Sequence, residues 1–155
     1  MPARKDFSSL DKEELVRILN KITEKHNISE SEIFSTIEIP VSIFSRELSS
    51  LESIVKFLIE NKKIGISTVA MALNRDLSTI YQAYNSTKRK YPGKLDIRQG
   101  ISIPVSIIAE RKLAVLESIV AYLKDSLNLT NHEIAAALKR DDRTIWTVYN
   151  RALKK

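Results

Sequence analysis

Two stretches of the chain, near positions 77–90 and 142–155, carry amide and guanidinium side chains suited to noncovalent recognition. Gln82, Asn85 and Asn150 each present a hydrogen-bond donor beside an acceptor, and Arg143 presents paired donors. Groups of this kind bind planar polar edges or oxyanions. The chemistry that they predict is therefore binding, without the making or breaking of bonds.

Residues suited to catalysis or metal binding are sparse. The chain has no cysteine and two histidines, His26 and His132, which are far apart in sequence and lack a matching ligand set. No glycine-rich phosphate loop is present, and the acidic residues are scattered as on solvated helical faces. We expect no enzymatic activity, no cofactor, no metal site and no small-molecule substrate.

The two stretches end a longer segment that occurs twice, at residues 37–90 and 101–155. From Leu48 and Leu113 onward, 17 of 43 aligned pairs are identical. A duplication predicts that each copy is a folding unit. The chain then divides into an N-terminal helical segment at 1–36, repeat 1 at 37–90, a linker at 91–100 and repeat 2 at 101–155.

Each repeat predicts three helices, so the fold class is all-α. In repeat 2 the apolar spacing predicts a helix over 110–125. A capping box, Thr130-x-x-Glu133, predicts the start of a second helix, and Asp141 is a suitable N-cap for a third. Ile145 lies on the apolar stripe of that third helix.

Repeat 1 follows the same plan. Ser49-x-x-Glu52 forms the capping box of its first helix. Gly65 occupies the N-cap position of the second, Asp76 that of the third, and Ile80 lies on the third helix's apolar stripe.

A near-identical motif, IxIPVSI, precedes each set of helices, at 37–43 and 101–107. Its alternating apolar residues around a proline predict a short extended segment, an edge strand or a hydrophobic strap. The two segments could pair with each other, within one chain or between two chains.

The N-terminal segment allows two interpretations. Residues 28–33, ISESEI, resemble residues 129–134, LTNHEI, at a constant offset. The segment is either a decayed third copy or, as we favour, an amphipathic helix packed on repeat 1.

The net charge of +6 lies on the repeats and their link. Repeat 1 has eight basic and five acidic residues, and repeat 2 has nine and six. A basic surface favours polyanions such as nucleic acid or an anionic membrane, although a moderate charge also serves solubility. No apolar run approaches the roughly 20 residues of a membrane span, and the N-terminus lacks an apolar signal core. We expect a cytoplasmic, nucleoid-associated protein.

The string LTNHEIAAALKRDDRTIWTVYNRALKK, at 129–155, resembles the helix-turn-helix of LuxR-type regulators and of sigma factor region four. The likeness lies in the LSxxEIA-like start, the short turn, the polar cap and the Thr-Ile pair, and it covers about 40 residues of each copy. It implies two tandem trihelical helix-turn-helix units that bind double-stranded DNA in a prokaryotic or archaeal cell.

The resemblance places the third helix of each repeat in a major groove. The implied DNA-binding residues of repeat 1 are Arg75, Ser78, Thr79, Tyr81, Gln82, Asn85, Lys88 and Arg89. Those of repeat 2 are Arg140, Arg143, Thr144, Trp146, Thr147, Asn150, Arg151 and Lys154. Arg143 suits guanine, and the amides Gln82, Asn85 and Asn150 suit adenine. The linker, about 33 Å when extended, can reach between successive groove faces, and joining two weak units raises their affinity.

The chain departs from this motif in the turn, where Asn74 and Lys139 replace the usual glycine and Arg75 and Arg140 replace an apolar residue. These replacements predict an altered turn, with each arginine contacting a phosphate or the neighbouring aspartate. The terminal lysines of each third helix suit either phosphate binding or the helix dipole.

The positions of Tyr81 and Trp146 allow two interpretations. Each follows the buried stripe by one residue, so it contacts either DNA or a packing surface, namely the IPVSI segment or a partner. We favour packing, because a bare tryptophan is unfavourable. Asp142 accepts a hydrogen bond from cytosine or repels phosphate. The alternative function is a protein-interaction scaffold, and a homodimer is left open.

Overall fold

The computed structural model describes residues 12–26 and 36–155. Within these ranges the chain is mostly helical, with eight helices and one two-stranded sheet, so the all-α prediction is confirmed. Helix α1, Lys12–His26, belongs to a first compact unit, and residues 35–155 form a second. The ISESEI segment at 28–33 lies outside the described residues.

Repeat 1 contains one strand and three helices in the predicted order. They are β1 (Glu38–Pro40), a 3-10 turn (Val41–Ile43), α2 (Ser50–Lys56) with a π-helical continuation (Phe57–Asn61), α3 (Ile66–Leu73) and α4 (Leu77–Lys90). The capping box is present: the Glu52 amide donates to Ser49 Oγ at 3.2 Å, and the Ser49 amide donates to the Glu52 carboxylate at 3.4 Å. Gly65 and Asp76 occupy the predicted N-cap positions.

Repeat 2 has the same order, with a short α-helix in place of the 3-10 turn. Its elements are β2 (Ser102–Pro104), α5 (Ser106–Ala109), α6 (Val115–Asp125), α7 (Asn131–Leu138) and α8 (Asp142–Leu153). The Thr130–Glu133 capping box is confirmed. The predicted start of the first helix at Glu110 is wrong, because the Ala114 amide donates to Glu117 at 3.0 Å and fixes the N-terminus of α6.

The turn before each third helix keeps a left-handed residue despite the missing glycine. Asn74 has φ 53° and Lys139 has φ 57°, each ending the second helix of its repeat. Asparagine adopts this conformation readily, whereas lysine does so at a cost of roughly 1–2 kcal/mol. The predicted alteration of the turn is therefore wrong at this residue: the conformation that glycine would supply is retained.

The two IPVSI segments pair with each other. Strands β1 and β2 are antiparallel, with Ile39 opposite Ile103 and both side chains fully buried. The Val41 amide donates to the Ile101 carbonyl, and the Val105 amide donates to the Ile37 carbonyl, each at 3.0 Å. Pairing within one chain, one of the two arrangements left open by the sequence, is confirmed.

Contacts between the repeats extend from the strands to the helices. Helix α7 packs on the 3-10 turn of repeat 1, and α3 packs reciprocally on α5 of repeat 2. The linker is also held in place, since Leu95 is buried and the Arg98 amide donates to Ser42 Oγ at 2.9 Å. Both copies therefore lie in one compact unit.

Candidate functional site

Helices α4 and α8 each bury an isoleucine and leave most of the opposite side in solvent. Ile80 and Ile145 have no exposed surface, which confirms the predicted apolar stripes. The opposite stripe of each helix consists of five positions. They are the second residue before the isoleucine and the first, second, fifth and ninth residues after it. We call Ser78, Tyr81, Gln82, Asn85 and Arg89 the α4 face, and Arg143, Trp146, Thr147, Asn150 and Lys154 the α8 face. All ten were predicted site residues, and none is acidic.

The aromatic residues of both faces are open to solvent. Trp146 is 61% exposed and Tyr81 is 49% exposed. We favoured packing of these two residues on an IPVSI segment or on a partner. The IPVSI half of that prediction is wrong, because those segments pair with each other and contact the second helices. Packing on a partner stays a prediction. Helical phase decides the matter: a residue that follows the buried isoleucine by one lies about 100° from it around the helix.

The polar groups of the two faces differ in how far they are engaged. In the described part of the chain, the side chains of Gln82, Asn85 and Arg143 make no hydrogen bond or ion pair. By contrast, Thr147 Oγ1 donates to the Arg143 carbonyl and Asn150 Nδ2 donates to the Trp146 carbonyl, both at 2.9 Å. Asn150 must change rotamer before its amide can bind a ligand with both polar atoms.

Arg75 and Arg140 lie away from these faces and link the two repeats. Arg75 donates to the Ile108 carbonyl at 3.4 Å, and Arg140 donates to the Leu48 carbonyl at 3.0 Å. Burial, followed by the charge of Arg111, lowers the pKa of Arg75. The guanidinium groups do not pair with the neighbouring aspartates, which was one of the two predicted contacts. Each donates instead to a backbone carbonyl of the other copy.

Asp141, the aspartate beside Arg140, lies near Arg46, a contact that the sequence analysis missed. Arg46 lies 3.6 Å from Asp141 and also donates to the Lys139 carbonyl at 3.3 Å. Local sequence could not reveal the contacts of Arg46, since its partner Lys139 is 93 positions away and Asp141 is further still. Arg46 and Lys139 line a groove of about 690 Å³ between the repeats, which reaches Thr144 at the start of α8.

The last lysine of each repeat has a structural role. Lys90 lies 2.9 Å from Glu52, and Lys155 lies 2.8 Å from the buried Glu117. Each pair ties the end of a third helix to the start of the first. The hydrogen bond from Lys155 is the main reason that the pKa of Glu117 is lowered. The sequence predicted phosphate binding or stabilisation by the helix dipole for the terminal lysines; these two ion pairs are a third role, which the sequence analysis missed.

The other predicted cations remain at the surface. Arg89, Arg151 and Lys154 are exposed, as is Lys88, whose ammonium lies 4.6 Å from the Tyr84 ring. Thr79 is exposed and Thr144 half-buried, both in the first turn of their helices. Because the four cations lie on or beside the α4 and α8 faces, the charge near the C-terminal ends of both helices is positive.

Aspartates at the starts of the two helices depart from this pattern, namely the exposed N-caps Asp76 and Asp141 and the adjacent Asp142. Asp142 begins α8, and its carboxylate lies 3.2 Å from Nδ1 of the exposed His132. The predicted exposure of His132 is confirmed.

Neither a metal site nor a membrane-spanning helix is found among the described residues. Among the described residues, no group of three or more His, Asp or Glu side chains is placed to hold a metal ion. Within the same residues, no helix is both long and apolar enough to cross a membrane. Comparison of the chain with family models, with curated proteins and with solved structures found no match.

Proposed function

We propose that the chain binds duplex DNA through the α4 and α8 faces. The observation that carries the proposal is the complete burial of Ile80 and Ile145 beside non-acidic faces on the same helices, which are exposed except at the half-buried Thr147 and Asn150. A helix anchored in this way can enter a major groove without disturbing the core. The resemblance to helix-turn-helix domains and the positive charge on the repeats support the same conclusion.

The proposed contacts divide into base and phosphate contacts. Arg143 pairs with guanine O6 and N7, and Gln82 or Asn85 pairs with adenine N6 and N7. Each such bidentate pair contributes roughly 1–3 kcal/mol of discrimination. Arg89 and Lys154, one on each face, neutralise phosphates, and the hydroxyl groups of Thr79 and Thr144 donate to phosphate oxygens.

The proposed role is that of a sequence-specific transcriptional regulator or a DNA-organising protein associated with the nucleoid. Ser78, Tyr81 and Gln82 of the α4 face correspond to Arg143, Trp146 and Thr147 of the α8 face. Because these side chains differ in hydrogen bonding and size, the two helices prefer different base sequences. Of the five equivalent pairs, only Asn85 and Asn150 are the same residue.

A salt series tests the proposal. Fluorescence anisotropy of a labelled duplex is measured against the full chain at increasing salt concentration. We expect log affinity to fall linearly with log salt, by about 0.9 for each phosphate contacted. An affinity that does not change with salt would exclude phosphate contact and overturn the proposal.

A second candidate function is supported by exposed apolar side chains. Trp146 and Leu153 of α8 are 61% and 62% exposed, and Met71 of α3 is 61% exposed. Aromatic and methionine side chains are enriched at protein interfaces. A scaffold that binds protein through these residues requires no contribution to duplex binding from Arg143 or Asn85, and this difference separates the two functions.

A further inference from the structure

The pairing of β1 with β2 fixes how the two repeats are related in space. Ile39 lies opposite Ile103, its equivalent in the other copy. Exchanging the two copies converts the Glu38–Pro104 pair into the Pro40–Ser102 pair, and the reverse. Copies related by simple translation would place their equivalent strands parallel. Because these strands are antiparallel, a rotation of about 180° relates them.

Reciprocal contacts extend this twofold relation to the helices. The paired amide-to-carbonyl bonds Val41–Ile101 and Val105–Ile37 are equivalent under exchange and equal in length, at 3.0 Å. The packing of α7 on repeat 1 and of α3 on repeat 2 is equivalent as well. Helices α3 and α7 immediately precede α4 and α8, so the α4 and α8 faces follow the same rotation.

The symmetry of duplex DNA then restricts the site. The two strands of a duplex are related by twofold axes perpendicular to the helix axis, so a twofold protein matches two half-sites in inverted orientation. We infer that this chain binds an imperfect inverted repeat, with one half-site contacted by the α4 face and the other by the α8 face. This inference rests on the proposed DNA binding and identifies its substrate.

The half-sites are also held at a fixed spacing. The linker does not set the distance between α4 and α8, because the strand pair, the reciprocal helix packing and the cross-repeat bonds of Arg75 and Arg140 join the copies directly. A linker acting as a flexible tether would permit variable spacing and either orientation. The rigid connection permits one spacing and the inverted orientation.

A variant whose two faces match at every position except Arg89 and Lys154, the proposed phosphate contacts, tests the orientation. The substitutions Leu77→Asp, Ser78→Arg, Tyr81→Trp and Gln82→Thr give α4 the side chains that α8 has at the equivalent positions. All four residues are exposed, so the fold should be kept, which thermal unfolding checks. Selection from random duplexes is then carried out with the variant and with the unchanged chain.

We expect the variant to select a perfect inverted repeat, and the unchanged chain an imperfect one. Selection of a direct repeat, or of one half-site alone, would overturn the inference while leaving salt-dependent DNA binding in place. Absence of salt-dependent binding by the unchanged chain would overturn both.

A spacing series provides an independent measurement. Five base pairs are inserted between the selected half-sites, which turns one of them about half a helical turn away. We expect the affinity to fall by at least about tenfold, because the second face can no longer bind at the same time. An unchanged affinity would mean that the two copies move independently, and would overturn the inference.

Discussion

Replacing Ile145 with alanine is expected to lower the free energy of unfolding by about 2–5 kcal/mol. Ile145 is fully buried between α8 and the rest of repeat 2, and α8 packs on both α6 and α7. Truncation leaves a cavity that a helix held on two sides cannot readily collapse. Chemical denaturation followed by far-ultraviolet circular dichroism measures the loss.

Trp146→Ala is the matched control, because it truncates the adjacent and larger side chain on the exposed side of α8. We expect its free energy of unfolding to stay within about 0.5 kcal/mol of the unchanged protein. Its affinity for duplex DNA should fall about tenfold, equivalent to about 1.4 kcal/mol. Comparable destabilisation by the two substitutions would contradict the placement of Trp146 in solvent.

Combined replacement of Arg143 and Asn85 with alanine is expected to weaken duplex binding and relax its sequence preference. Arg143 is proposed to make one bidentate base contact worth roughly 1–3 kcal/mol, and Asn85 is one of two candidates for a second. The preference for the selected site should therefore fall by about 5- to 160-fold if only Arg143 makes such a contact, and by about 30-fold or more if both residues do. Binding of an unrelated duplex should change less. Anisotropy titrations with both duplexes at one salt concentration measure the difference.

Lys94→Ala with Gln99→Ala provides the control for this pair. It also removes one cation and one amide from exposed positions, but in the linker at 91–100. We expect it to leave sequence preference unchanged. If the Arg143 and Asn85 replacements changed duplex binding no more than this control, the scaffold function would be favoured over DNA binding.

The sequence was sufficient to predict features that depend on local periodicity and capping. The spacing of apolar residues identified Ile80 and Ile145 as buried, and the same phase places the five residues of each face opposite them. The Thr130–Glu133 and Ser49–Glu52 capping boxes marked helix starts correctly because both partners of each bond lie within four residues.

Side-chain contacts with the other copy could not be predicted. Arg75 and Arg140 lie where the helix-turn-helix motifs that the sequence resembles have an apolar residue. The backbone carbonyls to which they donate become their neighbours only when β1 and β2 pair. Packing of Trp146 on an IPVSI segment was wrong for a different reason: the unfavourable exposure of tryptophan was given more weight than its helical phase. The start of α6 was misplaced because Leu113 continues the apolar spacing although it precedes the N-cap.

The pairing of the IPVSI segments also changes the expected basis of affinity. Two units on a flexible tether gain affinity through effective concentration, and much of that gain is lost to the freedom of the tether. Here the strand pair and the reciprocal helix packing hold both copies in one compact unit. A duplicated sequence thus forms within one chain the arrangement that a homodimer forms from two.

Trp146 makes the most direct test of DNA contact available, because it is the one tryptophan in the chain and lies on the α8 face. Its quenching by acrylamide is measured in the free protein and at saturation with duplex, with saturation established by anisotropy. We predict ready quenching in the free protein and strong protection in the complex. Equal quenching in both states would show that the α8 face stays in solvent when DNA is bound, and would contradict the account.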